Sequence, residues 1–205
     1  MDMGRRHLLA SGAAASIASL LPVRARAVAA ELGDNGLYVQ DWFVQSFLDL
    51  REDLGEAAGN GKNFAVIWEQ RGCPYCRELH TVNLARPKIV SYLRGNFDLL
   101  QLDLWGSRPV TDFDGEELEE RALARKWQVN FTPTIVFFPR DLGAMAGKSA
   151  RKREVARMPG YFKPFHFVSM FEYVRGGHFE SQPFQRFLQD KLARFEAEGR
   201  KPDVW

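Results

Sequence analysis

The chain has 205 residues, 45% of them hydrophobic, with a formal net charge of +2 and only two cysteines. This length buries one sizeable core and calls for no second domain. The near-balance of charge, with no basic stripe carrying interleaved aromatics, excludes a nucleic-acid-binding protein.

The first 27 residues, MDMGRRHLLASGAAASIASLLPVRARA, read as an export signal. They have a basic start, a weakly apolar Ala/Leu/Ser-rich middle, and Ala25 and Ala27 placed as a small-residue cleavage site. The adjacent Arg5 and Arg6 resemble a twin-arginine export motif, although the usual Ser before the pair and Phe after it are missing. A retained membrane anchor is the alternative. Ser, Gly and Pro22 interrupt a run already marginal for a span of about 20 apolar residues, so no stable insertion is expected after cleavage. Loss of Arg5, Arg6, Arg24, Arg26 and Asp2 leaves 24 basic and 25 acidic residues, a net charge of −1.

Residues 28–205 then read as one domain with a helical N-terminal extension. In LYVQDWFVQSFLDLREDLGEAA, the apolar residues Trp42, Phe43, Phe47, Leu48, Leu50 and Leu54 fall at helical spacing. The run FAVIWE, Phe64 to Glu69, is a buried strand aimed at the cysteines. A helical pattern follows from Cys73 to about Leu93, with Pro87 expected to kink or split it. FDLLQLDLW is a second strand, and the polar loop after it turns helical near Glu116, with Arg125 and Lys126 in the last turn. NFTPTIVFFPRD and REVARMPG give two more strands, the basic ARKREVAR segment being a solvated hairpin. Two closing helices follow, the last one capped by Ser181 with Pro183 near its start. A βαβ start with a closing hairpin makes an α/β sandwich with a mixed central sheet.

The sequence WEQRGCPYCRELH holds both cysteines, Cys73 and Cys76, and admits three readings. A structural staple over so short a loop constrains the unfolded chain by on the order of 2 kcal/mol in the chain-entropy model and ties nothing distant together. A zinc site needs four ligands, and the second pair of cysteines or closely spaced histidines is missing, so no metal is expected. The third reading is a redox pair. A cysteine at the start of a helix, with Pro74 at the first helical position, faces unpaired backbone N–H groups and the positive end of the dipole. These stabilise a thiolate at Cys73, leaving Cys76 to resolve a mixed disulfide.

Strand, GCPYC, split helix, strand, helix and FTPT before another strand together resemble the thioredoxin fold, a three-layer α/β sandwich, from about Asn63 to Ala197. The resemblance implies a Thr132–Pro133 cis peptide bond that presents Thr132 to substrate, and a loop at Gly160 approaching it. With TPTIVFF and MPGYFKPFHFVSMFEYV, the sequence is most similar to SoxW-type exported thioredoxins associated with bacterial sulfur oxidation. Pro74-Tyr75 is the dipeptide typical of glutaredoxins, and the Trp-Cys-Gly-Pro-Cys of ordinary thioredoxins is missing. This likeness implies a periplasmic thiol–disulfide oxidoreductase with no prosthetic group, acting on protein disulfides and recharged by a membrane thiol-electron donor. A disulfide-donating oxidase and a non-catalytic peptide-binding module are the alternatives.

Glu69 is a possible counterpart, by analogy, of the buried acid under the second cysteine in thioredoxins, but an exposed loop carboxylate is the expectation for a glutamate there. Asp103 is a weaker candidate of the same kind. His80 is expected on the solvent side of its helix, and Trp68 in the core behind the active site. The aromatic stripe Phe162, Phe165, Phe167, Phe171 and Tyr173 reads as core.

Overall fold

The computed structural model describes Met1 and residues 30–202, so the segment read as an export signal, Met1 apart, lies outside the described residues. Strands β1 (Glu31–Leu32) and β2 (Tyr38–Val39) form a small antiparallel pair, and helix α1 (Leu50–Gly59) leads into β3 (Asn63–Glu69). Helix α2 (Pro74–Glu78) runs on into a π-helical turn (Leu79–Asn83), and α3 (Pro87–Asn96) leads to β4 (Phe97–Asp103). The hairpin β5 (Pro109–Thr111) and β6 (Glu117–Glu119) precedes α4 (Glu120–Lys126) and β7 (Thr134–Phe137). Helix α5 (Ala150–Arg153), β8 (Ala156–Pro159), α6 (Pro164–Arg175) and α7 (Phe184–Ala197) complete the described chain.

The central sheet has the order β4-β3-β7-β8, with β3 parallel to β4 and antiparallel to β7, so it is mixed. All seven residues of β3 are buried because helices cover both faces of the sheet. Phe64, Val66 and Trp68 point into a core shared with α1 and α4, whereas Ala65 and Ile67 point into one shared with α3 and α6. Burying a side chain the size of Phe64 contributes about 2 kcal/mol, and the two cores hold the three layers together. The aromatic stripe is core as expected: Phe165, Phe167, Phe171 and Tyr173 are buried, and Phe162 packs half-buried against them. Pro87 splits the long helical pattern by starting α3 at its first position, where it lacks nothing the helix needs.

Four expectations fail, wholly or in part, for identifiable reasons. The extension is not helical before Leu50. The Val44 N–H goes to Leu99 O at 3.0 Å, pairing with the edge of β4 instead of with a helical carbonyl, and Asp49 caps α1 by accepting from the Arg51 N–H. Its apolar residues serve different places, Phe43 the α3/α6 core and Leu48 the other, while Phe47 is fully exposed. The segment read as helix from Glu116 begins as β6, because Asp114-Gly115 makes the turn of the β5–β6 hairpin, with Gly115 at φ 84. The basic segment is solvated only in part: Arg151 and Lys152 are exposed, but Arg153 and Arg157 are mostly covered, Arg153 reaching Asp112 and Asp114 and Arg157 reaching Glu154 and the Trp127 carbonyl. Ser181 does not cap α7 either; its Oγ donates to His178 O, and Pro183 occupies the cap.

Candidate active site

The redox centre is assembled where β3 ends. Gly72 takes the left-handed φ of 72, a conformation glycine reaches at little cost, and turns the chain into α2. Cys73 caps that helix with its own sulfur: the Cys76 N–H donates to Cys73 Sγ at 3.0 Å, and Pro74 fills the first position. Cys73 and Cys76 are joined as a disulfide with Cα atoms 5.2 Å apart. Both residues are nearly covered, Cys73 5% exposed and Cys76 1%, so attack from outside reaches the Cys73 side first. Tyr75, between them, is 58% exposed.

A second loop closes on the disulfide. The Thr132–Pro133 bond is cis, with Thr132 Oγ1 at 3.3 Å and its carbonyl oxygen at 3.7 Å from Cys73 Sγ. The Gly160 N–H donates to Pro133 O at 2.8 Å, so the β8–α6 loop lies against the proline as expected. When the pair is reduced, a thiolate at Cys73 meets the Cys76 N–H and the Thr132 hydroxyl, two donors that favour the charged sulfur. Thiol–disulfide exchange is the chemistry this arrangement supports.

The expectations for Glu69 and His80 are corrected. Glu69 is not an exposed loop carboxylate and His80 does not face solvent; both are fully buried. Their contact is the reason: His80 Nε2 lies 3.1 Å from both Glu69 oxygens, and Gln101 Nε2 also donates to that carboxylate. A buried charge is tolerable when it is hydrogen-bonded in this way. His80 follows Cys76 by four residues, which puts the two on one helix face. Asp103 has another task, its Oδ1 accepting from the Trp105 N–H at the end of β4. Trp68 lies behind the strand in the α1/α4 core, edge-on to Trp127.

Sequence reasoning missed three contributors. Gln40 Nε2 meets His80 Nδ1 at 3.1 Å, Trp42 Nε1 donates to Gln40 Oε1 at 3.2 Å, and Gln101 Nε2 donates to Tyr38 O at 2.6 Å. Gln101 left one signal: it interrupts the buried alternation of β4 on the face that carries Phe97 and Leu99, and a polar group on a core face must find partners. Among the described residues no cluster of three or more potential metal ligands occurs. No helix among them is long and apolar enough to cross a membrane.

A mixed sheet between helical layers, with a Cys-x-x-Cys disulfide capping the helix after its central strand and a cis-proline loop against it, defines a thiol–disulfide redox fold. The sequence profile of the thioredoxin-like domain matches residues 50–175, and the chain belongs to that family, whose redox centre is the cysteine pair itself and needs no cofactor. Among solved structures it is similar to a thioredoxin-fold protein from Helicobacter pylori, at 20% identity and TM-score 0.46 over 66% of this chain and 83% of that one. It is also similar to a thioredoxin from Thermus thermophilus, at 26% identity and TM-score 0.44 over 62% and 83%. The oxidised C-terminal domain of DsbD from Neisseria meningitidis follows at 16% identity and TM-score 0.43 over 60% and 90%. Among curated proteins none matches the chain in sequence.

Proposed function

We propose that the protein is an exported, periplasmic reductase of protein disulfides, of the SoxW type and linked to bacterial sulfur oxidation. The observation that carries it is the cysteine sulfur at the start of α2, which receives the Cys76 N–H and lies 3.3 Å from the Thr132 hydroxyl. The Cys73 thiolate attacks one sulfur of a substrate disulfide; that S–S bond breaks, a mixed disulfide forms, and the departing thiolate takes a proton. Cys76 then loses its proton and attacks Cys73 Sγ, which releases the second substrate thiol and leaves the Cys73–Cys76 disulfide. The substrate is reduced by two electrons and the protein oxidised by two. A membrane thiol-electron donor restores the dithiol by the same exchange.

Substrate would lie along Thr132 and Pro133, with Gly160 at the edge of the site and three exposed aromatics around it. Tyr75 lies between the cysteines, Phe131 precedes Thr132, and Trp105 donates through Nε1 to Gln70 Oε1, two residues before Gly72. An extended, partly apolar segment bearing a disulfide fits such a rim. Replacing Cys73 by Ser should abolish insulin reduction, and replacing Cys76 by Ser should accumulate a mixed disulfide with the substrate. Insulin reduction that survives in the double Cys73→Ser, Cys76→Ser variant would refute the catalytic role.

A further inference from the structure

The segment before α1 precedes the residues that match the family, yet it reaches His80, the partner of the buried Glu69. The hydrogen-bond chain there has a direction. An indole N–H can only donate, so the Gln40 atom facing Trp42 Nε1 is the carbonyl oxygen Oε1, and the amide nitrogen faces His80 Nδ1. Nδ1 must therefore accept, and the ring proton sits on Nε2, pointing at Glu69. A proton added at Nδ1 would oppose the Gln40 NH2, and rotating that amide would set its NH2 against the Trp42 N–H. Both arrangements set two donors face to face.

Glu69 is fixed by the same logic. Gln101 Nε2 donates to the Tyr38 carbonyl, which orients that amide, and donates to Glu69 as well. Every group meeting Glu69 is thus a donor, which suits a carboxylate and not a carboxylic acid. The other titratable group facing the imidazole is the Tyr38 ring, 5.5 Å away, and the Phe43 ring covers another side at 5.9 Å. One helical turn after Cys76, then, a neutral imidazole and the ionised carboxylate that it meets carry one unbalanced negative charge.

We propose that Gln40 is a positioning residue of the redox centre: with Trp42 it holds His80 neutral, so that the Glu69–His80 pair keeps a net negative charge beneath Cys76. That charge opposes a second thiolate at Cys76 while Cys73 is ionised, and it makes the extension part of the active site. The inference rests on the reductase reading only for its consequence; the protonation states are independent of it.

The test uses full-length protein labelled with 15N-histidine, the His80 ring being assigned by its loss in His80→Gln. At pH 7 the oxidised wild type is expected to show a neutral ring protonated at Nε2. An Nδ1–H tautomer or an imidazolium would overturn the proposal. Gln40→Glu replaces the donor with an acceptor, and its His80 should appear as an imidazolium at the same pH; retention of the neutral Nε2–H ring would also overturn it. In reduced Cys73→Ser protein, thiolate absorbance at 240 nm should place the Cys76 titration midpoint about one pH unit lower once Glu69→Gln is added. An unchanged midpoint would refute the electrostatic role. Inactivity toward insulin with these signatures intact would sink the reductase reading alone.

Discussion

Two buried carboxylates in this molecule are satisfied in opposite ways. Asp112, at the β5–β6 turn, faces cations: Lys126 Nζ at 2.6 Å and Arg153 at 3.2 Å, with the Phe113 N–H and Trp127 Nε1 also donating. Glu69, at the end of β3, faces only neutral donors from His80 and Gln101. The first charge is cancelled and the second is kept. The cancelled one anchors the hairpin, α4 and α5 together, as ionic clusters in mostly covered sites do when each member is paired. Within it Lys126, against the pull of burial, is held well above the usual lysine range by Asp112, Asp114 and Glu116. Asp114, likewise against burial, is held well below the carboxylate range by Lys126 and Arg153. The kept charge is held by His80, one helical turn after Cys76.

The contrast breaks down if the two acids respond alike to removal. Asp112→Ala should cost about 3 kcal/mol in denaturant unfolding, since it strips buried donors of their acceptor. It should leave the Cys73–Cys76 potential unchanged, because the cluster lies in another part of the fold. Glu69→Gln should cost less, about 1–2 kcal/mol, for the new amide that meets the Gln101 NH2. Unlike the Asp112 change, it should raise the potential by roughly 30 mV, since removing a negative charge favours the thiolate form of the reduced pair. Equal redox effects from both variants would erase the distinction.

A third acid sharpens it from the stability side. Asp53, on α1, is buried, and burial pushes its carboxyl up to about 6 even though the Ser46 hydroxyl donates to it at 2.7 Å. The neighbouring Glu56, Asp49 and Glu52 add to the rise. A folded carboxyl that holds its proton longer than the unfolded one lowers stability as pH rises from about 4 to 6. Asp53→Asn, which keeps an acceptor for Ser46, should be more stable than the wild type at pH 7, by on the order of 1 kcal/mol, and indistinguishable from it at pH 3.5. Thermal unfolding at the two pH values measures the difference, and an equal shift at both would contradict the assignment.

Much of this was legible in the residues and some was not. The four central strands, the break at Pro87 and the cysteine cap follow from local chemistry: β-branched runs, a fixed proline φ and a Cys-Pro helix start; the cis-proline loop was implied by the resemblance of the Thr-Pro-Thr motif to the thioredoxin fold. The extension was misread because Trp42, Phe43, Phe47 and Leu48 imitate a helical face while their backbone is claimed by the edge of β4. Acidic residues at 116–120 imitate a helix start, and they hide the Asp114-Gly115 turn. Gly106 carried a signal visible only in three dimensions: a Cβ there would come within 2.0 Å of Glu120 Oε2, the buried acceptor for the Arg108 N–H. The burial of Glu69 and His80 depends on Gln40 and Gln101, partners far apart in sequence that no spacing rule connects.

The most direct test of the account is the reduction potential of the Cys73–Cys76 pair, equilibrated against glutathione at pH 7. A reductase that carries an uncancelled buried charge beneath its second cysteine should lie near the thioredoxin value of about −270 mV. A value near −120 mV, characteristic of a disulfide-donating oxidase, would contradict both the direction of electron flow and the role given to Glu69.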